Sequence, residues 1–425
     1  VYADGILLSN YLGNGIANGT NYAPRWGLVT PEEIDRVDVM YGPFSAAYPG
    51  NSAGAVVDYV TRMPTKLEAH VKAGYSSQPN ELYGASKTYN AWQTSASLGS
   101  KSGDWSWWID VNRTNSHGQP LTFTTATLAS GVARSGDSRG TPVAGAVPGL
   151  NTTNTLWYLL GSGTAYHTVQ DHAKLKLAYD FSPTVRATYT LGWWQNTSEG
   201  RPDTYLRNAA GQPVYSGAVN VGGRSFTLAP TAFPLTNDTQ THTMHGLSVK
   251  SNTQGVFDWE VAASLYDYSK DQQRAPTVAL PLASFGGAGT LQDQGGTGWN
   301  TLAAKGTWRP FGVGGEHIVD FGIGRDAYKL SIAKNNVIGS WLDGAANPWS
   351  PVSNVGGKTE TFNAWAQDTW SFAPTWKAVL GLRYEDWKAS NGFTSTANSL
   401  QRYASRSEAD FSPKAALAYQ VASDT

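Results

Sequence analysis

From about Leu67 to the end of the chain, apolar and polar residues alternate one by one, and this period of two constrains the fold more than any other feature. Leu175 and Leu177, for example, alternate with Lys174 and Lys176. Successive side chains of a strand point to opposite faces, so each such row predicts a β-strand with one apolar face. The pattern predicts twelve strands, with approximate centres at residues 72, 95, 109, 175, 190, 247, 262, 304, 323, 367, 381 and 417.

The connections between these strands are predicted to alternate in length. Tight turns are expected at residues 101–104, 182–184, 253–255, 310–316 and 373–375, and long loops at 77–90, 115–166, 198–236, 270–296, 334–358 and 389–407. All long loops then lie at one end of the sheet, as in outer-membrane barrels and unlike soluble sandwiches. The apolar rows must face lipid, because a charge at the membrane midplane costs roughly 2–4 kcal/mol.

The composition agrees with such a barrel and excludes several other classes of protein. The 31 Lys and Arg residues balance 32 Asp and Glu residues, which argues against a nucleic-acid-binding protein. Aromatic residues make up 12% of the chain and charged residues only 15%. There is no Cys, so disulfides, thiolate metal sites and Cys nucleophiles are excluded. No run approaches the roughly 18 apolar residues of a membrane-spanning helix.

Residues 1–66 lack the long alternating rows. They contain two short strand-like units at residues 36–40 and 55–60, separated by Gly- and Pro-rich turn sequences. We therefore predict two parts of the chain, a small mixed unit at residues 1–66 and a barrel portion at residues 67–425.

Several segments resemble the signatures of TonB-dependent outer-membrane receptors. Residues 31–50 read P-E-E-I-D-R-V-D-V-M-Y-G-P-F-S-A-A-Y-P-G, and residues 52–64 read S-A-G-A-V-V-D-Y-V-T-R-M-P, which together are similar to the plug signature of that family. The barrel segments are A-W-A-Q-D-T-W at 364–370, G-L-R-Y-E at 381–385 and F-S-P-K-A-A-L-A-Y at 411–419. The chain departs from the pattern at Tyr41, where the family has Arg.

This resemblance implies an all-β fold: a transmembrane antiparallel β-barrel, with about 12 of an expected 22 strands present, preceded by the C-terminal part of a small α+β plug domain. The rest of the barrel is then expected after Thr425. The segment through which TonB acts is expected before Val1. The implied location is the bacterial outer membrane, in contact with its lipid.

The function implied is active uptake of a bulky, scarce nutrient, most often a ferric siderophore in this family. A saccharide, a vitamin or haem is the alternative ligand within the same class. A passive porin-type channel is the alternative from a different class, and the plug signature argues against it. We find no catalytic set, so an enzyme is not predicted, and no cofactor is expected. His242 and His245 fall on opposite faces of a strand, so no metal site is predicted there.

The ligand-binding candidates are Tyr22, Arg25 and Trp26, in a loop that the resemblance places at the apex of the plug. Their aromatic and guanidinium groups suit a bulky anionic chelate. Charges on the polar faces of the barrel strands are expected to hold the plug, because a buried charge needs a partner. The candidates for this plug–barrel contact are Arg36, Glu260, Arg383 and Glu385.

Overall fold

The structure is a computed structural model that describes residues 1–8, 16–17, 20–21, 29–42, 45–49, 54–128, 132–133 and 140–422. Within these ranges the chain is almost entirely β-strand, and no helix is long and apolar enough to cross a membrane. Among the described residues, its strands form a small four-stranded sheet near the start of the chain, one large sheet after it, and two further sheets of short strands.

The small sheet has four strands in the order β2-β1-β4-β3. The strands are β1 (Tyr2–Ala3), β2 (Ile6–Leu7), β3 (Ile34–Tyr41) and β4 (Ala55–Thr61). Asp4 and Gly5 connect β1 to β2, both with positive φ, of 49° and 78°. An Asp-Gly pair suits such a two-residue hairpin turn, since both central residues need positive φ. We call residues 1–66 the plug segment.

The large sheet contains sixteen strands, of which twelve long ones form the wall. They are β5 (Glu68–Leu82), β6 (Ala85–Ser102), β7 (Trp105–His117), β8 (Leu156–Ser182), β9 (Val185–Thr204), β10 (Thr236–Ser251), β11 (Phe257–Pro276), β12 (Gly298–Trp308), β13 (His317–Ile338), β14 (Ala345–Ala373), β15 (Trp376–Thr396) and β16 (Arg406–Tyr419). Each pairs antiparallel with the next along the chain. The twelve predicted strands and their order are confirmed.

Shorter strands and turns lie outside the strands of the small sheet and the twelve long strands of the wall. The short strands are Ile16–Ala17, Thr20–Asn21, Phe123–Thr127, Val132–Ala133, Thr141–Pro142, Val147–Leu150, Gly217–Val221, Arg224–Leu228, Gly289–Asp293 and Ser399–Arg402. In the described ranges, 3-10 turns cover Pro31–Glu33 and Leu282–Phe285. Among the described residues the plug segment therefore holds strands and one 3-10 turn, and the α-helical part of the expected α+β plug is not among them.

The prediction for residues 77–90 was wrong. Strand β5 continues to Leu82 and β6 begins at Ala85, so the connection is a tight turn at Tyr83 and Gly84, both with positive φ. Long connections do occur at the same end of the sheet, at residues 118–155, 205–235 and 277–297, but the long loop predicted at 334–358 was also wrong, because only residues 339–344 separate β13 from β14. Periodicity fails in 77–90 because polar residues occupy both faces of these strand ends, for example Asn80 and Glu81 on β5 and Lys87 and Thr88 on β6.

The two faces of the wall differ as predicted. On β13, Phe321 and Ile323 point away from the plug segment and are 40% and 54% exposed, as lipid-facing side chains are in the absence of lipid. Tyr328, of opposite parity, is buried against the plug segment. Apolar side chains therefore cover the outer face, and the inner face carries the groups that meet the plug segment.

Candidate functional site between the plug segment and the barrel wall

A buried lysine on the inner face of β8 holds the 3-10 turn of the plug segment. Lys174 Nζ lies 2.8 Å from Glu33 Oε2, and the side chains are 1% and 0% exposed. The other oxygen, Glu33 Oε1, accepts a 2.8 Å hydrogen bond from the Thr30 backbone N–H. The carboxylate thus joins the start of its own turn to the wall.

A second lysine, two residues further along the same face, binds the hairpin of the small sheet. Lys176 Nζ lies 3.0 Å from Asp4 Oδ2 and donates a 2.7 Å hydrogen bond to Thr61 Oγ1. Thr61 in turn donates to Asp4 through its backbone N–H at 2.8 Å and its hydroxyl at 2.6 Å. Lys176 therefore binds the β1–β2 turn and the adjoining end of β4 together. We call Lys174 and Lys176 with these partners the lysine contact.

The lysine contact affects the titration of Asp4. Its burial favours the neutral form, but the charge of Lys176 and the two hydrogen bonds from Thr61 favour the carboxylate more strongly. The pKa of Asp4 is consequently lowered from its ordinary value. Asp4 is therefore a carboxylate at neutral pH, paired with the wall.

Next to the buried pair lies a second pair of the same length, in which the lysine is exposed and the Glu32 side chain is 10% exposed. Lys72 Nζ on β5 lies 2.8 Å from Glu32 Oε1, and the lysine side chain is 61% exposed. Neighbouring glutamates of one turn thus bind lysines of two wall strands in different environments. The two pairs form a natural internal control for the effect of burial.

An arginine on β15 holds the plug segment differently. Arg383 is 2% exposed, and its Nη1 donates to the carbonyl oxygens of Ala46 at 3.1 Å and Ala47 at 3.3 Å. Its Nε lies 3.1 Å from Glu385 Oε1 on the same face of the strand. Gln367 on β14 accepts a 3.0 Å hydrogen bond from the Ala46 backbone N–H. We call this set the arginine contact.

Between the two contacts, the β1–β2 hairpin packs on an aromatic part of the wall. Leu7 and Leu8 are buried there, and the Leu7 carbonyl accepts a 3.1 Å hydrogen bond from Trp299 Nε1. The wall side chains of this cluster are Trp194, Met244, Tyr266, Tyr268, Trp299 and Tyr328. A Cβ at Gly246 would overlap the Cδ1 atom of Ile6, so the absence of a side chain there permits the close approach of the hairpin.

A chain of hydrogen bonds continues from this cluster along the inner wall towards the end with the long connections. Asn196 donates to Gln240 at 2.9 Å, and Gln240 donates to Asp271 Oδ1 at 3.0 Å. His242 Nε2 lies 3.0 Å from Asp271 Oδ2, and the ring stacks on Tyr268 at 3.8 Å. All five side chains are at least nine-tenths buried. The inner wall here is polar but internally satisfied.

The structure separates the residues predicted to join plug and barrel. Arg383 reaches the plug segment directly, and Glu385 pairs with Arg383. Glu260 lies 3.0 Å from Lys305 of the neighbouring wall strand. Arg36 pairs with Asp38 of its own strand at 3.1 Å, where its side chain is 61% exposed, so its described ion pair is within the plug segment and not with the wall.

The structure describes only some of the other residues that the sequence analysis singled out. Tyr22, Arg25 and Trp26 lie outside the described residues, so their role as ligand contacts stays a prediction. His242 and His245 do face opposite sides of β10, since His242 is buried in the inner wall and His245 Nδ1 lies 2.9 Å from the Tyr189 hydroxyl on the outer face. Among the described residues no three His, Asp or Glu side chains form a possible metal site.

Sequence reasoning missed the lysine contact. Lys174 and Lys176 stand on the polar row of a well-predicted strand, and both are almost completely buried. The available signal was their spacing, because lysines two residues apart on one inner face need two acidic partners. Their partners Asp4 and Glu33 lie in turns, and nothing in the sequence pairs a turn residue with a particular strand.

Comparison with known proteins agrees with this architecture. Residues 179–425 match the family model described as TonB dependent receptor-like, beta-barrel. No curated protein matches the chain. Among solved structures, the unliganded ferric citrate transporter FecA is similar over 99% of this chain and 52% of its own, with 13% identity and a TM-score of 0.60.

Two further solved structures are similar at the same level. The ferripyoverdine receptor of the outer membrane of Pseudomonas aeruginosa, bound to ferripyoverdine, matches 99% of this chain and 48% of its own, with 14% identity and a TM-score of 0.55. The ferric yersiniabactin uptake receptor FyuA from Yersinia pestis matches 92% of this chain and 50% of its own, with 12% identity and a TM-score of 0.54. The chain thus spans about half the length of these structures.

At these identities the solved structures establish the fold alone, that of a transmembrane antiparallel β-barrel. The family model covers more than half of the chain. The chain therefore belongs to the TonB-dependent receptors, a family of bacterial outer-membrane receptors and transporters rather than enzymes.

Proposed function

We propose that this chain forms part of a receptor that imports a ferric siderophore across the outer membrane, with energy supplied through TonB. The observation that carries the proposal is the lysine contact. Lys174 and Lys176 bind Glu33 and Asp4 of the plug segment in a buried interface on the inner wall. Separating a buried ion pair leaves uncompensated charges and is strongly unfavourable. A plug held in this way suits a pathway that opens only when work is done on it.

The ligand class is inferred from two kinds of support. The similar solved structures are a transporter of ferric citrate and receptors of ferripyoverdine and ferric yersiniabactin. The predicted apex loop of this chain carries Tyr22, Arg25 and Trp26, which suit an anionic chelate through stacking and charge-assisted hydrogen bonds. We propose that these three residues contact the ligand and that Arg25 contributes most to binding.

The test is a binding and uptake experiment on the full-length receptor with a panel of radiolabelled ferric siderophores. We expect Arg25→Ala to weaken binding of an anionic chelate by about 1.5–3 kcal/mol, the range for a hydrogen bond to a charged group. Uptake at saturating ligand should be unchanged, because TonB is expected to act on a different segment. Uptake should stop in every variant when TonB is absent.

The alternatives correspond to definite outcomes of the same experiment. A saccharide, a vitamin or haem that is taken up in place of every siderophore would overturn the ligand assignment and leave the TonB-dependent mechanism in place. Uptake that persists without TonB would instead indicate a passive pathway and overturn the mechanism. Unchanged affinity in the Arg25 variant would remove that residue from the site.

A further inference from the structure

Two histidines face each other where strands β7 and β8 meet the long connection between them. His117 and His167 are register partners on these strands. Their rings are stacked, with centroids 4.2 Å apart and planes 8° from parallel. All seven histidines of the chain are among the described residues, and no other two of them are register partners. We call His117 and His167 the histidine pair.

The histidine pair lies on the outer face of the wall, beyond the apolar row. Val111 is an outward side chain of β7 and is 46% exposed, and every second residue after it shares this face. Arg113 comes next and lies 3.3 Å from Asp171 of β8. His117 is the last residue of β7 before the connection at 118–155. Since long connections mark the extracellular end of such barrels, the pair is at the extracellular surface and outside the lumen.

A neighbouring amide orients one of the two rings. His167 Nε2 lies 3.1 Å from Asn115 Oδ1. An amide oxygen only accepts hydrogen bonds, so Nε2 donates its proton and Nδ1 keeps a free lone pair. Histidines that bind metals commonly donate their other N–H to an oxygen in this way, which fixes both the tautomer and the ring orientation. The arrangement of His167 is therefore that of a metal ligand with its supporting hydrogen bond.

The other ring of the pair is exposed to solvent at the end of its strand. Partial desolvation lowers the pKa of His117, and the charges of His167 and Lys87 lower it further. The His117 ring is consequently neutral at neutral pH, and neutral imidazole is the form that binds metal ions.

We propose that the histidine pair binds a divalent transition-metal ion, Cu²⁺ most tightly. Imidazole suits the late ions of the first row, and Cu²⁺ has the highest affinity of the divalent series. Metal–nitrogen bonds of about 2.0–2.1 Å place two ligand nitrogens about 3 Å apart, which the stacked rings reach by turning about their side-chain bonds. No third His, Asp or Glu completes a site among the described residues. Glu199, opposite His167 on β9, lies 3.1 Å from Arg201, so solvent supplies the remaining ligands.

A bound ion at this position also joins the two ends of one extracellular connection. His117 precedes residues 118–166 and His167 follows them. Links that close a long loop stabilise it by lowering the entropy of its open states. The ion therefore stabilises the base of this connection. The proposal is independent of which ligand the receptor imports, because the pair lies outside the lumen.

The test measures Cu²⁺ binding to the full-length receptor by titration calorimetry and electron paramagnetic resonance. His117→Gln and His167→Gln are compared with the control His70→Gln/His317→Gln, which removes two histidines on the distant strands β5 and β13. We expect each single variant to bind at least about a hundredfold more weakly, since the loss of a ligand exceeds the effect of losing a group that orients one. Asn115→Ala should weaken binding by about tenfold. The control should bind as the wild type does.

The spectrum and the exchange data distinguish this site from scattered binding. Bound Cu²⁺ should show hyperfine coupling to two imidazole nitrogens in the wild type. Added Cu²⁺ should also slow hydrogen exchange at the adjoining ends of β7 and β8 in the wild type and not in the His117 or His167 variant. Without metal, exchange along the rest of β8 should be the same in all variants, which shows that they are folded.

Three outcomes would overturn the proposal. The first is a wild-type receptor whose Cu²⁺ binding is unchanged by His117→Gln and His167→Gln. The second is an equal loss in the control, because copper would then be bound by histidines in general. The third is a spectrum with coupling to one imidazole only, because the two rings would then not share an ion. If the ion binds but exchange is not slowed, the proposed stabilisation of the connection is wrong.

Discussion

The plug segment is held on two sides of the wall by different chemistry. At the lysine contact, cations of β8 meet the carboxylates of Glu33 and Asp4. At the arginine contact, Arg383 of β15 donates to the main-chain carbonyls of Ala46 and Ala47. The first contact depends on the plug side chains and on their charge state, whereas the second depends only on the path of the plug backbone.

This difference indicates how the two sides should respond to perturbation. The lysine contact should weaken in acid through Asp4, whose pKa is lowered by its partners, and after a single substitution of Asp4 or Glu33 by an amide. A carbonyl has no titratable proton and survives any side-chain substitution at Ala46 or Ala47. We therefore expect the lysine contact to be the more easily released of the two.

The largest effect is expected for Lys174→Met. Removal of the lysine leaves the fully buried Glu33 carboxylate without its cation, which costs about 3–5 kcal/mol. Hydrogen exchange at the amides of β3 and β4 measures the free energy of opening of the small sheet. The double substitution Lys174→Met/Glu33→Gln should recover most of the loss, because no uncompensated charge then remains.

Lys72→Met is the matched control for this substitution. Its partner Glu32 adjoins Glu33 and the ion-pair distance is also 2.8 Å, but the lysine is 61% exposed. Exposed pairs contribute about 0–1 kcal/mol. If the two lysine substitutions destabilise the sheet equally, burial is not what distinguishes the lysine contact.

A smaller effect is expected for Asp4→Asn. Asparagine is also accepted in the hairpin turn, so the loss should come mainly from the weakened bond to Lys176, about 1.5–3 kcal/mol. The folded-state pKa of Asp4 is lowered, so its stabilisation is complete at neutral pH and is lost as the pH falls below 3.8 through the folded pKa. Hydrogen exchange of the plug segment, measured over a series of pH values, should show this acid-dependent loss of stability in the wild type. If the loss persists in Asp4→Asn, it does not arise from Asp4.

Arg383→Lys tests the other side of the comparison. Lysine keeps the charge but lacks the planar group through which Arg383 reaches two carbonyls and Glu385 at once. We expect a loss of about 1–1.5 kcal/mol in the opening free energy, the value of one or two hydrogen bonds. Arg113→Lys, at an exposed pair with Asp171 on the outer face, should have no effect on the plug segment. A strong pH dependence of the Arg383→Lys effect between pH 3 and 6 would show that carbonyls are not its main partners.

The fold was predictable because a strand that spans a membrane requires a recognisable alternation of apolar and polar residues. Each wall strand must keep an apolar row towards lipid, so rows such as those of β8 and β15 can be recognised without any knowledge of their partners. The strand ends beyond the lipid are under no such constraint. Residues 77–90 look like a loop for that reason, although they form the end of a hairpin.

The site was only partly predictable, because the odd or even position of a residue along its strand gives the face of the sheet on which it lies but not its partner. We call this position the parity of the residue. It placed Arg383 and Glu260 on the inner face, yet Arg383 reaches the plug segment while Glu260 pairs with Lys305 of the next strand. Which inner charge meets the plug depends on how the small sheet sits in the lumen. That position is determined by packing, for example of Ile6 against Gly246, and by no local pattern.

The smallest effect, with the opposite sign, is expected for Asp58→Asn. Asp58 lies directly opposite Asp38 across β3 and β4, and burial together with the charges of Asp4 and Asp38 raises its pKa. A raised folded-state pKa means that the group favours the folded state when protonated, and that this advantage is lost as the pH rises through the folded pKa. Asparagine removes the like-charge opposition and can still accept the hydrogen bond from the Gly5 N–H. We therefore expect a gain of about 0.2–1 kcal/mol in opening free energy at neutral pH, which disappears in acid.

Asp58→Asn and Asp4→Asn each remove one carboxylate from the same small sheet. We expect them to shift the opening free energy measured by hydrogen exchange in opposite directions. A loss of stability in both variants would show that the pairing of Asp4 with Lys176 is not what distinguishes these two groups.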